Sequence, residues 1–137
     1  MEKMIALAQK KEIDRSQVLA KRLIELVLEK KGEDLIVLDV RGFSSYTDYI
    51  IIVSARSVRH AQGIAEAVED ELYREGFSPH GVEGKGEGQW VLMDYGDAIL
   101  HIFFEPIRKI YDLEGLWIDV PRIEPKDWGI EYPEEEK

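Results

Sequence analysis

The stretch LIVLDVRGFSSYTDYIIIVSARSVRH, Leu35 to His60, decides the architecture. LIVLDV (Leu35–Val40) is short and rich in branched residues, which predicts a strand. A second such run follows at Tyr49–Ser54. Only the eight residues Arg41–Asp48 separate the two runs. A parallel crossover needs a dozen residues or more, so this spacing predicts an antiparallel return. Ser57 then stands where a helix N-cap belongs, and Ala61, Ile64, Ala65, Val68 and Leu72 recur at helical spacing until Gly76.

Upstream, Asp14 to Lys31 reads as a helix. Leu19, Leu23, Leu26 and Val27 share a face, Asp14 or Ser16 can cap its start, and Gly32 ends it. Downstream, Ser78–Gly88 is glycine-rich and reads as a loop with a short edge strand near Val82. QWVLMD, Tyr95-Gly96 and DAILHIF then form a hairpin, with Tyr95-Gly96 as a two-residue loop. That register sets Asp94 opposite Asp97, Leu92 opposite Ile99 and Trp90 opposite His101. One face carries Trp90, Leu92, Ile99, His101 and Phe103, the other Val91, Met93, Ala98, Leu100 and Ile102. Pro106 opens a third helix, with Ile107, Ile110, Tyr111 and Leu113 as its packing residues.

The expected fold is therefore α+β, a two-layer arrangement of helices on a mixed β-sheet. Both sheet faces are apolar and call for cover. Three modest helices can cover one face and leave the other, or its rim, as a protein-contact surface. The alternative is that helices divide between the faces or the tail folds over one of them. Residues 1–13 are expected to form an N-terminal extension, 14–118 the domain, and 119–137 an acidic tail ordered only where Trp128 docks.

With 137 residues, 45% of them hydrophobic, the chain can bury one core. It has no cysteine, so disulfides and thiolate zinc sites are excluded. The start of the chain lacks the features of a secretory signal, and no apolar run approaches the ~20 residues of a membrane span. The net charge of −10 disfavours general nucleic-acid binding and suits a basic protein partner.

The chemistry-bearing residues form no convincing catalytic set. Two-metal nucleotidyl transfer needs bridging carboxylates, as in Asp-x-Asp on a strand. Ser44, Ser45 and Asp48 fit the preceding turn, but Ile50 occupies the second acidic position and cannot bind magnesium. Asp94 and Asp97 flank a hairpin and read as turn residues. Ser54–Ser57 precedes a helix and could hold an anion with Arg56, Arg59 and His60, yet an N-cap on a solvated turn explains it more simply. Gly81, Gly84, Gly86 and Gly88 do not match a phosphate loop. His60, His80 and His101 lack metal-ligand spacing, and no G-x-S-x-G is present. The expectation is no catalytic residue, no metal and no cofactor. What remains suits binding: Trp90, Tyr95, Phe103, Tyr111 and Trp117, near Asp94, Asp97, Glu105 and Arg108. Phe103 and Trp117 are assigned to the interior first. Tyr95, at a turn tip, is the leading surface candidate and Trp90 the next.

Taken in order, DVRGFSSYTDYIIIVSARSVRH, VEG at Val82–Gly84, WVLMDYGDAILHIF and E-x-x-R-x-x-YDLEGLW from Glu105 to Trp117 resemble the ribosomal silencing factor RsfS family, also called Iojap. The resemblance implies a nucleotidyltransferase-like domain without the catalytic acids. It implies a cytoplasmic protein that binds the large ribosomal subunit through large-subunit ribosomal protein fourteen. Such a protein sterically blocks the small subunit and represses translation under nutrient limitation. It also implies a homodimer. By motif match the contact residues are Trp90, Asp94, Tyr95, Gly96, Arg108 and Tyr111. Two departures stand out: Ala55 where the family commonly has glycine, and the extension from Asp119. The other readings are a residual nucleotide-binding or nucleotidyltransferase enzyme, and direct RNA binding through Lys21, Arg22, Arg56 and Arg59.

Overall fold

The computed structural model describes residues 2–132, with side chains described from Arg15 onward. Helix α1 (Glu2–Glu29) leads into β1 (Glu33–Asp39) and β2 (Tyr49–Ala55). Then come α2 (Val58–Arg74), β3 (Gly81–Glu83), β4 (Trp90–Asp94), β5 (Ala98–Phe104) and α3 (Glu105–Tyr111). Two single-turn 3-10 segments follow, Leu113–Trp117 and Pro125–Trp128. The strands form one mixed sheet in the order β1-β2-β5-β4-β3. The β1–β2 return is antiparallel, as its short loop requires. β2 lies parallel to β5, joined through α2 and the small strands.

α1 begins before Asp14, so Asp14 and Ser16 lie within the helix and do not cap it. Its buried stripe is wider than expected: Ala20, Ile24 and Leu28 join Leu19, Leu23, Leu26 and Val27. The helix ends in a Schellman motif. Lys31 N–H donates to Leu28 O and Gly32 N–H to Val27 O. The left-handed residue is Lys31, at φ 63, and not Gly32. Gly32 is needed for a different reason: a Cβ there would lie 2.9 Å from Val27 O and would collide with Val53 Cγ2. α2 is as read, capped by Ser57 Oγ accepting from His60 N–H, with Ala61, Ile64, Ala65, Val68 and Leu72 buried.

The hairpin register differs from expectation by two residues. Asp94 opposes Ile99, Leu92 opposes His101 and Trp90 opposes Phe103. Tyr95 N–H donates to Ala98 O, so the loop is Gly96-Asp97, with Gly96 at φ 83. A slip of two preserves side-chain alternation, so the face assignment stands.

The helices divide between the faces. α1 and α2 cover the first, over Val37, Tyr49, Ile51, Val53, Val91, Met93, Leu100 and Ile102. Ile107 of α3, Leu113 and Trp117 cover part of the second, over Leu38, Val40, Ile50, Ile52 and Phe103. Of the residues expected to pack α3, Ile110 and Tyr111 instead remain largely exposed.

The stretch after Asp119 is not a tail docked only at Trp128. Val120 is buried against the second face, whereas Ile123, Trp128 and Ile130 pack on the first. Between them the segment lies along the outer edge of β1. Asp39 N–H donates to Pro121 O and Ile123 N–H to Val37 O, both at 2.9 Å. Trp128 meets Tyr49 edge-on at 5.3 Å between ring centroids. The charged end EEEK, Glu134–Lys137, lies outside the described residues.

Candidate protein interface

The α3 layer covers the β1–β2 side of the second face and leaves the β4–β5 side partly open. Strand alternation puts Trp90, Leu92 and Asp94 of β4 and Ile99, His101 and Phe103 of β5 on that face. Phe103 and His101 are buried, whereas Trp90, Leu92 and Ile99 are half-buried. Tyr111, at the end of α3 and 56% exposed, meets the Trp90 ring at 4.7 Å. Trp90 also stacks on Phe103 at 4.9 Å. Its indole Nε1–H donates to His101 Nδ1 at 3.0 Å. That bond assigns the His101 proton to Nε2, and burial lowers the His101 pKa to about 4. The imidazole is therefore a neutral support beneath the indole. Ile110, Leu116 and Ile118, each more than 70% exposed, add apolar area to the outer surface of the α3 layer.

The expected contact set divides on this geometry. Trp90, Asp94 and Tyr111 share the open face. Trp90 and Asp94 stand at opposite ends of β4, roughly 13 Å apart at strand rise. Asp94 Oδ1 accepts from Gly96 N–H at 2.8 Å, which fixes the turn.

Two residues of the expected set are buried rather than presented on the open face. Tyr95 is 6% exposed and its ring joins the first-face core, because alternation turns it away from Asp94. Its hydroxyl has no hydrogen-bond partner among the described residues. Burial pushes its pKa up to about 12, with a further contribution from Glu69. Arg108 is 8% exposed. It donates to Ser54 Oγ at 2.8 Å, Asp34 O at 2.7 Å and Glu114 Oε2 at 3.0 Å. It fastens α3 to the sheet and so holds Tyr111 against Trp90. The motif match alone could not separate exposed residues from buried ones. Leu92 and Ile99, which the motif match did not nominate, form the floor of the face, and their strand parity was the signal for it.

Several of the residues weighed for chemistry have structural partners. Asp48 accepts from Ser16 Oγ, and its N–H donates to Asp97 O. Ile50 is buried in the second-face core. Arg56 pairs with Glu33, and its N–H donates to His60 Nδ1. His60 Nε2 lies 2.7 Å from Lys30 O. Among the described residues no three His, Asp or Glu side chains are grouped to hold a metal. No described helix is long and apolar enough to cross a membrane. A cleft of about 280 Å³ is lined by Asp34, Glu105, Asp112 and Glu114 with Arg108 and Lys109. Four carboxylates facing two cations, one already fully engaged, do not suit an anionic cofactor.

Fold and face together define an α+β domain with a partly open aromatic sheet surface. The family model described as ribosomal silencing factor during starvation matches residues 13–137, including the segment after Asp119. The chain belongs to this ribosomal silencing factor family. It is 38% identical over 102 residues to RsfS of Bacillus subtilis, covering 74% of this chain and 86% of that protein. It is 39% identical over 99 residues to RsfS of Haemophilus influenzae, covering 69% and 97%. A crystal structure from Chromobacterium violaceum superposes with a TM-score of 0.72 at 35% identity, over 74% of this chain and 84% of that one.

Proposed function

We infer that this protein binds the large ribosomal subunit in the cytoplasm, through large-subunit ribosomal protein fourteen, and keeps the small subunit from joining. Translation falls when nutrients are limiting. The observation that carries this reading is the open β4–β5 face, where Trp90 and Tyr111 form an aromatic surface held from below by His101 and Phe103. Aromatics on a rigid support are the side chains that dominate interface energetics. The relatives' name, silencing factor, denotes regulation rather than catalysis. A mouse relative, 29% identical over 99 residues, is named mitochondrial assembly of ribosomal large subunit protein 1, which supports the choice of subunit. A net charge of −10 favours a basic partner.

Blocking is steric: a 15.8 kDa body on a joining surface occupies volume the other subunit needs. The test is co-sedimentation with purified large subunits, small subunits and joined ribosomes. Binding to large subunits alone is expected, with fewer joined particles when the protein is added first. Equal binding to small subunits, or unchanged joining, would refute the mechanism.

A further inference from the structure

Trp90 opens β4, and its backbone is braced from the opposite side of the sheet. The loop Gly84–Gly88 comes just before it. Gly84 lies so close to the Trp90 carbonyl that a Cβ there would collide with the oxygen. Gly88 N–H donates back to Gly84 O at 2.9 Å, which closes the loop on itself. The far side of the loop rests on α2, where a Cβ at Gly88 would lie 2.6 Å from Val58 Cγ1 and 2.8 Å from Val58 O. Gln62 of α2 fastens it: Nε2 donates to Lys85 O and to Gly86 O, both at 3.0 Å. Lys85 Nζ adds an ion pair with Glu69 Oε1 at 2.9 Å, but both side chains are about a third exposed and the pair contributes little.

These contacts link the two faces. α2 covers the first face, whereas the Trp90 ring lies on the second, against Phe103, His101 and Tyr111. The direction of that ring follows the backbone of Trp90, which the loop leads into. Glycines at 84, 86 and 88 give the loop more backbone freedom than any other residue type would. Something must remove that freedom if the indole is to hold one angle. An amide NH2 carries two donors, and Gln62 uses them on two carbonyls of this loop. We propose that Gln62 is a positioning residue for Trp90: by fixing the glycine-rich loop to α2 it sets the angle of the indole on the open face. Its effect on partner binding rests on the reading of that face as the large-subunit contact.

The test measures binding of the full chain to purified large subunits, alongside thermal melts and the indole N–H signals of the three tryptophans by NMR. Gln62→Ala is expected to weaken binding about fivefold, the weight of one hydrogen bond. It should shift the Trp90 indole signal and leave those of Trp117 and Trp128 in place. In a folded Trp90→Ala background, Gln62→Ala should cost no further binding, because two residues that act through one another are not additive. Losses that multiply, or an unmoved Trp90 signal, overturn the proposal. Unchanged binding by Gln62→Ala, where Trp90→Ala binds poorly, overturns it too. Normal binding by folded Trp90→Ala refutes the reading of the open face instead, and the indole signal then decides whether Gln62 sets the ring. Should Trp90→Ala fail to fold, the single variant decides. Weaker binding with a moved Trp90 signal supports the positioning role, and weaker binding with all three signals unmoved overturns it.

Discussion

Trp90 and His101 lie diagonally across the β4–β5 pair and are joined by one hydrogen bond, indole N–H to imidazole Nδ1, at 3.0 Å. This bond exists only while His101 is neutral, because a protonated ring has no acceptor. Burial holds the folded-state pKa at about 4, below the ordinary 6.5. Between those values the unfolded chain binds the extra proton. The stability contribution is therefore full above pH 6.5 and is lost as pH falls toward 4, about 3 kcal/mol in total. Denaturant unfolding at steps from pH 7 to 4 checks this. A His101 ring that titrates near 6.5 by NMR contradicts it.

Tyr111→Ala should weaken large-subunit binding about thirtyfold, the value of one aromatic hot spot near 2 kcal/mol. The fold should be nearly unaffected, because Tyr111 is more than half exposed. Trp90→Ala should lose binding and stability together, since the indole supports both neighbours. Binding titrations paired with thermal melts separate the two effects.

Tyr95 should behave in the opposite way. Tyr95→Ala is expected to cost about 3–5 kcal/mol, as a large core truncation does. The folded fraction should bind normally. Tyr95→Phe removes a buried hydroxyl that lacks a partner and should be neutral or stabilising by up to about 1 kcal/mol. A binding defect in folded Tyr95→Phe would return this residue to the interface.

Arg108→Ala leaves Ser54 Oγ, Asp34 O and Glu114 without their shared donor. We expect a loss of about 3–5 kcal/mol. Binding should also fall, although Arg108 makes no outward contact, because α3 no longer holds Tyr111 in place. Increased quencher access to Trp90 would report that loosening, and unchanged access would argue against it.

At the end of α1, Gly32→Ala should cost about 1–3 kcal/mol by overpacking against Val53 and Val27. Lys31→Gly should stabilise by about 0.5–1 kcal/mol, because Lys31 holds a left-handed backbone that glycine adopts freely. Chemical denaturation of the two single variants tests the pair.

Much of the fold was legible because it rests on period and spacing. The β1–β2 return, the α2 stripe and the parity of the hairpin faces follow from side-chain alternation and loop length. Three things did not follow. The hairpin slipped by two because the turn chose Gly96-Asp97, placing glycine first, where a positive φ is needed; parity cannot detect an even shift. Tyr95 was read as exposed because it borders a glycine at a turn, yet it is the last paired residue and points inward. The segment after Asp119 looked like a solvated tail by composition, but its few apolar residues, Val120, Ile123, Trp128 and Ile130, find partners on two separate cores. Within the expected contact set, motif order could not tell the buried Arg108 from the more open Trp90 and Tyr111.

The clasp on β1 has a consequence for how the molecule is made. A nascent chain emerges from its amino end, and β1 and β2 can pair early because they adjoin in sequence. The outer flank of β1 stays bare until residues 120–123, more than eighty positions further on, have been synthesised. β2 likewise waits for β5 on its other side. During its own translation the protein thus passes through a stage with two unsatisfied strand borders, and that stage, more than the finished fold, is where misassembly and chaperone engagement should concentrate.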